Sequence, residues 1–170
     1  MIEVTLLPFG RIEPEVLEII KEKFSDMEFK VEISAPTPIP RRALNEGRKQ
    51  YLASALTKAE ESFDGVVLGV TDVDLYTPGL NFVFGLANPG TGKAVISLKR
   101  LRTDAGKQKF LERSVKEAVH ELGHLLGLNH CSTPGCVMIF SNTLADTDDK
   151  GWYYCNGCRR FLTGLYNQRM

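Results

Sequence analysis

The sequence predicts an α/β (α+β) fold with a mixed, mostly parallel sheet, helices packed on it and an irregular C-terminal part. Three observations lead there. Short apolar runs at 2–9, 66–70 and 94–98 are interleaved with helical patterns, the order of parallel strands with helical crossovers. The run Asn81 to Ala87 is joined to Ala94–Leu98 by the short, turn-rich NPGTG, which suits an antiparallel pair at the sheet edge. After Gly127 the periodicity fades, and all four cysteines fall there among turn formers.

Each element follows from its pattern. Residues 2–9 (IEVTLLPF) read as a strand closed by Gly10. Glu13 to Phe24 carries Val16, Leu17, Ile19, Ile20 and Phe24 on a helical stripe, with Pro14 in the first turn. Residues 27–34 alternate, with Met27, Phe29, Val31 and Ile33 on one face, and are expected to form a strand. A helix is expected from about Ala43 to Phe63, closed by Asp64-Gly65. The almost wholly apolar Val66–Val70 reads as a central strand buried on both faces. From Lys107 to Leu126, Leu111, Val115, Ala118, Leu122 and Leu125 share a helical face that Gly127 terminates. Neither repeat nor linker appears, so residues 1–170 are expected to be one domain, an α/β part (1–127) and a C-terminal part (128–170).

Composition narrows the function classes. With 43% hydrophobic and 25% charged residues, the 170-residue chain has the balance of a folded water-soluble protein. Lys plus Arg and Asp plus Glu each number 21, so no net charge draws it to nucleic acid or anionic membrane. No apolar run reaches the roughly 18 residues of a membrane span. The N-terminus lacks a basic leader and a small-residue cleavage site, so the expected compartment is the cytoplasm.

The chemistry concentrates in His120-Glu121-Leu122-Gly123-His124-Leu125-Leu126-Gly127-Leu128-Asn129-His130. Residues four apart on a helix lie one above the other, so His120 and His124 can aim two imidazoles at one ion. Gly127 allows the turn that brings His130 in from another side. Three nitrogens with one open position are the ligand set of a catalytic zinc. Glu121 follows the first ligand, placed to act as the base for an attacking water. These are the chain's three histidines, which argues against a scatter of ordinary structural ones.

Cys131-(x4)-Cys136 and Cys155-(x2)-Cys158 supply four thiolates in the spacing of a structural zinc. Disulfide pairing of the same cysteines stays open. A redox role for Cys155 and Cys158 wants a strand before and a helix after, whereas residues 146–151 read as loop. A zinc beside His130 would tie down the segment that carries the third imidazole.

The His-Glu-x-x-His-x-x-Gly-x-x-His pattern is that of metzincin metalloproteases. Cys-x4-Cys-x-Met, the later Cys-x-x-Cys, VTDVDLYTPGLNFVFGLA and AVISLKRLR resemble the archaemetzincins, or archaelysins, over roughly Val66 to Leu162. This resemblance implies a compact metzincin-like domain that acts on peptide or protein substrates, with an aminopeptidase as one form. It implies two zinc ions per chain, one catalytic and one structural. Met138 would lie in a methionine turn beneath the catalytic metal. The Asn81–Ala87 strand would be the sheet edge above the cleft, with Asn81, Phe82, Val83, Phe84 and Gly85 meeting substrate by strand addition.

Other residues carry weaker signals. Tyr153 and Tyr154 read as packing beside the cysteines rather than oxyanion donors, Asp72 and Asp74 as turn or cap residues, and Arg159 and Arg160 as a solvated face. Asn142 and Asp146 are candidates for hydrogen bonds around the metal segments. A non-catalytic peptide-binding module would not need Glu121, and a nucleic-acid module would want a basic stripe. No feature demands a partner chain, so a monomer is expected.

Overall fold

β1 (Glu3–Phe9) turns Val4 and Leu6 to one buried face and Leu7 and Phe9 mainly to the other. That double burial sets the layout of the computed structural model, which describes the backbone of residues 1–169 and the side chains of residues 1–165. β5 (Val66–Thr71) divides its side chains the same way, Leu68 and Val70 opposite Val67. With β2 (Lys30–Ile33), β7 (Gly85–Asn88) and β8 (Lys93–Ser97) they form one sheet in the order β2-β1-β5-β8-β7. Every neighbouring pair is parallel except β7–β8, so the mixed sheet ends on an antiparallel edge strand as expected.

Helices cover both faces. α1 (Pro14–Asp26) and α3 (Lys107–Leu125) pack Ile20, Phe24, Ala118 and Leu122 against Leu6, Leu68 and Ile96. On the other face α2 (Ala53–Ala59) places Ala53 and Leu56 over Leu7, Phe9, Val67 and Val95. Beyond α3 come α4 (Leu144–Asp149) and α5 (Asn156–Arg169).

Several boundaries depart from the sequence reading. The second strand begins at Lys30 rather than Met27, because α1 ends in a Schellman turn with Glu28 in the left-handed region. There the Phe29 amide donates to the Phe24 carbonyl at 3.0 Å, and the two rings meet edge-on. The helix expected over Ala43–Phe63 survives in its second half alone. Its first half is a hairpin, β3 (Leu44–Asn45) and β4 (Gln50–Leu52), which joins β6 (Leu75–Tyr76) in a small second sheet. The Asn45 side chain accepts the Arg48 amide and Lys49 takes a positive φ, so Asn45-Glu46-Gly47-Arg48 turns instead of winding on. Residues 146–151 are partly helical, because Thr143 and Asp146 form a capping box that starts α4.

Candidate metal centre and cleft

α3 delivers His120 and His124 on one face and ends where it must for His130 to arrive. Gly127 (φ 99°) closes a Schellman turn in which the Leu128 amide donates to the Gly123 carbonyl at 2.9 Å. Each helical imidazole is fixed from behind: His120 Nδ1 donates to the Val137 carbonyl and His124 Nδ1 to that of Leu128, both at 2.8 Å. A carbonyl only accepts, so both rings carry their proton on Nδ1 and present a bare Nε2. The two Nε2 atoms lie 3.2 Å apart. Facing lone pairs at that distance repel unless a cation sits between them, and a tetrahedral ion with arms of about 2.05 Å has an edge of about 3.3 Å. The His130 ring centroid lies 4.9 Å from that of His124, and one nitrogen from each of the three rings lies within 4.8 Å of the others. Burial and then Lys150 push the His120 pKa down to about 3; burial also lowers those of His124 and His130, so all three stay neutral, as ligands must.

Glu121 points from α3 toward β7. A Cβ at Gly85 would come within 2.8 Å of Glu121 Oε1, so only glycine leaves room for this carboxyl. Burial, reinforced by Glu117 one turn earlier, holds the Glu121 pKa well above the usual carboxylate range, and Lys150 pulls it back. Lys150 is itself buried, donates to the Ile139 carbonyl at 2.9 Å and sits 3.4 Å from His120 Nδ1. Above these residues lies a cleft of about 680 Å³. One wall runs from Gly79 to Ala87, the floor holds Glu117, Glu121 and the three histidines, and Phe140 to Asn142 close the other side. Of the expected substrate contacts, Gly85 alone belongs to β7. Asn81, Phe82, Val83 and Phe84 form an irregular wall leading into it, because the Val83 amide turns away to the Leu75 carbonyl.

The four cysteines converge as well, their thiols free and within 4.8 Å of one another. The Cys131–Cys155 and Cys136–Cys158 sulfurs are each 3.8 Å apart. A tetrahedral zinc with bonds of about 2.3 Å has a sulfur–sulfur edge of about 3.8 Å, whereas a disulfide needs about 2.05 Å. Hydrogen bonding, first of all from the Cys158 amide, lowers the Cys155 pKa to about 6, whereas burial pushes the Cys136 and Cys158 thiols up. α5 begins between Cys155 and Cys158, a helix where the redox reading wanted one, but the thiols face Cys131 and Cys136.

Met138 is fully buried beneath α3, its sulfur pressed against Gly123. A Cβ at Gly123 would overlap Met138 Sδ and come within 3.0 Å of the Tyr154 ring, whose hydroxyl donates to the Val119 carbonyl at 2.7 Å. Gly123→Ala is therefore expected to lower stability by about 1–3 kcal/mol through overpacking. Urea unfolding of the zinc-loaded protein checks this, and an unchanged midpoint would show that the contact yields freely.

The model of peptidase family M54 matches residues 1–163. The chain belongs to this family. Archaemetzincin from Pyrococcus furiosus is 41% identical over 94% of this chain and 91% of its own length. That from Methanocaldococcus jannaschii is 39% identical over 98% and 97%. Among solved structures, archaemetzincin from Methanopyrus kandleri superposes with a TM-score of 0.89 at 38% identity, covering 98% of this chain and 96% of that one. The zinc-dependent peptidase from Methanocorpusculum labreanum gives 0.86 at 30% identity, covering 94% and 99%. This M54 member is accordingly a zinc metallopeptidase that acts on peptide or protein substrates. Among the described residues, no helix is long and apolar enough to cross a membrane.

Two residues that the structure sets beside the histidines and the cleft escape the sequence reading. Glu117 left a trace, a carboxylate four positions before Glu121 on the same helical face, but Lys150 left none. Asp72 and Asp74 are ion-pair partners of Arg102 and Arg100, beyond their expected turn roles. Asp146 accepts the Asn142 and Thr143 amides as a cap, Tyr153 lies against Gly135, and Arg159 and Arg160 are exposed.

Proposed function

We propose that the protein hydrolyses peptide bonds of substrates lying along the free edge of β7, with zinc held by His120, His124 and His130 and with Glu121 as base and acid. The observation that carries this reading is the pair of bare, backbone-fixed Nε2 atoms beside a buried carboxyl that opens on a cleft. Zinc bound there supplies a Lewis acid that polarises a carbonyl and acidifies water. Glu121 takes the proton from the attacking water, a transfer its burial-raised proton affinity favours, and returns it to the departing amine, while Lys150 offsets part of the cost that burial and Glu117 put on its carboxylate form. Val137 and Leu128 hold the imidazoles in one tautomer through the cycle. The edge strand offers unpaired amides and carbonyls to an extended backbone, and Gly79–Phe84 forms the wall above it.

The finer assignments belong to the same reading. A second, structural zinc on Cys131, Cys136, Cys155 and Cys158 secures the segment behind His120, and Met138 serves as the methionine turn. Residues 1–170 act as one domain and a monomer, and reduced thiolates favour the cytoplasm. Aminopeptidase specificity fits Glu117, the carboxyl besides Glu121 on the cleft lining, which can meet a substrate α-ammonium.

The test uses the zinc-loaded protein and a peptide library with free and N-acetylated members. Metal analysis should give two zinc ions per chain. Cleavage should stop when chelation removes zinc from the histidine site and return on readdition, with free N-termini preferred. Cleavage that persists without zinc, or its complete absence in loaded protein, would sink the reading; equal cleavage of acetylated peptides would remove the aminopeptidase part alone.

A further inference from the structure

The cleft wall Gly79–Phe84 is held from behind by side chains of the small second sheet. Backbone bonds fix it toward its C-terminal end, where the Val83 amide donates to Leu75 and the Phe84 carbonyl accepts from Ser97. In the middle, the Leu80 and Asn81 carbonyls have side-chain donors. Arg48 Nη2 reaches them at 2.7 and 3.2 Å, and Gln50 Nε2 reaches Asn81 at 2.8 Å. The buried Gln50 amide is used at both ends: Nε2 also donates to Asp74 at 3.0 Å, and Oε1 accepts from Arg48 Nε at 2.8 Å. Asp74 is in turn gripped by Arg100 through two bonds of 2.8 and 2.9 Å. The two guanidiniums then stack on the wall's surroundings, Arg48 over Tyr76 at 4.1 Å and Arg100 over Phe82 at 3.9 Å. None of these groups touches the histidine cluster.

We infer that Arg48 and Gln50 are positioning residues for substrate: they fix the Leu80–Asn81 backbone so that the wall above β7 is formed before a peptide arrives. The inference rests on the proposed peptide hydrolysis and adds the part of the chain that sets its binding step. A wall free to move must be ordered each time substrate binds, and that entropy counts against affinity. Such a loss falls on ground-state and transition-state binding alike, so it raises KM and leaves kcat nearly unchanged. Leu80, 55% exposed on this wall, is the side chain through which the ordered loop meets substrate.

The probe is an internally quenched peptide that the wild-type, zinc-loaded protein cleaves. Arg48 lies at the surface, so Arg48→Ala keeps the fold while removing both wall contacts and the stacking. Gln50→Glu keeps the shape and the acceptor for Arg48 but sets a carboxylate against Asn81 O and Asp74. Each variant is expected to raise KM about ten-fold with kcat within about two-fold, while Arg48→Lys, retaining one donor, recovers part of the loss. A network that merely stabilises the fold would lower the melting temperature or the active fraction and leave KM alone; unchanged KM in both variants therefore overturns the inference. Failure of the parent reading is visible separately, because then the wild type itself cleaves nothing, and the inference falls with it.

Discussion

Glu121→Gln is expected to retain the fold and all bound zinc while lowering kcat by about 10³-fold, the usual worth of a positioned general acid–base. The change is nearly isosteric, which matters because Gly85 leaves the side chain little room. An amide cannot accept a proton from water, so the loss falls on the chemical step, and KM should move little. Stability should hold or rise, since a buried carboxyl and its repulsion by Glu117 both disappear. Glu121→Asp should fall between the two, as the base is kept but withdrawn by one methylene. The measurement is kcat on the best library peptide, with zinc content determined on the same samples. A Gln variant retaining a tenth or more of wild-type kcat would remove Glu121 from the proton-transfer role.

What the sequence disclosed, and what it hid, follows from how local each cause is. β5 is legible because burial on both faces leaves a continuous apolar run, and α3 because one stripe and one glycine define its length and end. The histidine cluster is legible for a similar reason: an i, i+4 pair and a glycine turn put the three rings together with little help from the rest of the fold. The hairpin at 44–52 was concealed, since its residues also match a helical pattern and its pairing is decided by β6, where the Tyr51 amide finds the Asp74 carbonyl. The wall at 81–84 misled in the same way. Its β-prone Phe82-Val83-Phe84 run is real, but Leu75 and Arg48 claim backbone groups that a strand would have offered to a neighbour. Lys150 could not be found at all, because its meaning depends on His120, thirty residues away in sequence.

Cys155→Ser is expected to release one zinc of two and to lower the melting temperature by roughly 10 °C, as several kcal/mol of metal-linked folding energy is lost from a chain of this size. The consequence should reach the histidine site along a defined path. The Cys131–Met138 segment carries two of the four thiols; its ends are joined by the Cys131 amide donating to the Met138 carbonyl, and the Val137 amide donates to the Tyr153 carbonyl, two residues before Cys155. Val137 is also the residue whose carbonyl sets the His120 tautomer, and Met138 supports α3 at Gly123. Loosening the segment therefore frees the imidazole rather than removing it. Activity should fall while the protein still binds a zinc ion, more weakly than before, at the three histidines. Two titrations read this together: zinc per chain before and after mild chelation, and kcat as zinc is returned in excess. Recovery of wild-type kcat at saturating zinc would mean that the cysteine cluster stabilises the fold without preorganising the histidines. A variant that still binds two zinc ions with unchanged melting would mean that the four thiols are not the ligands of one ion.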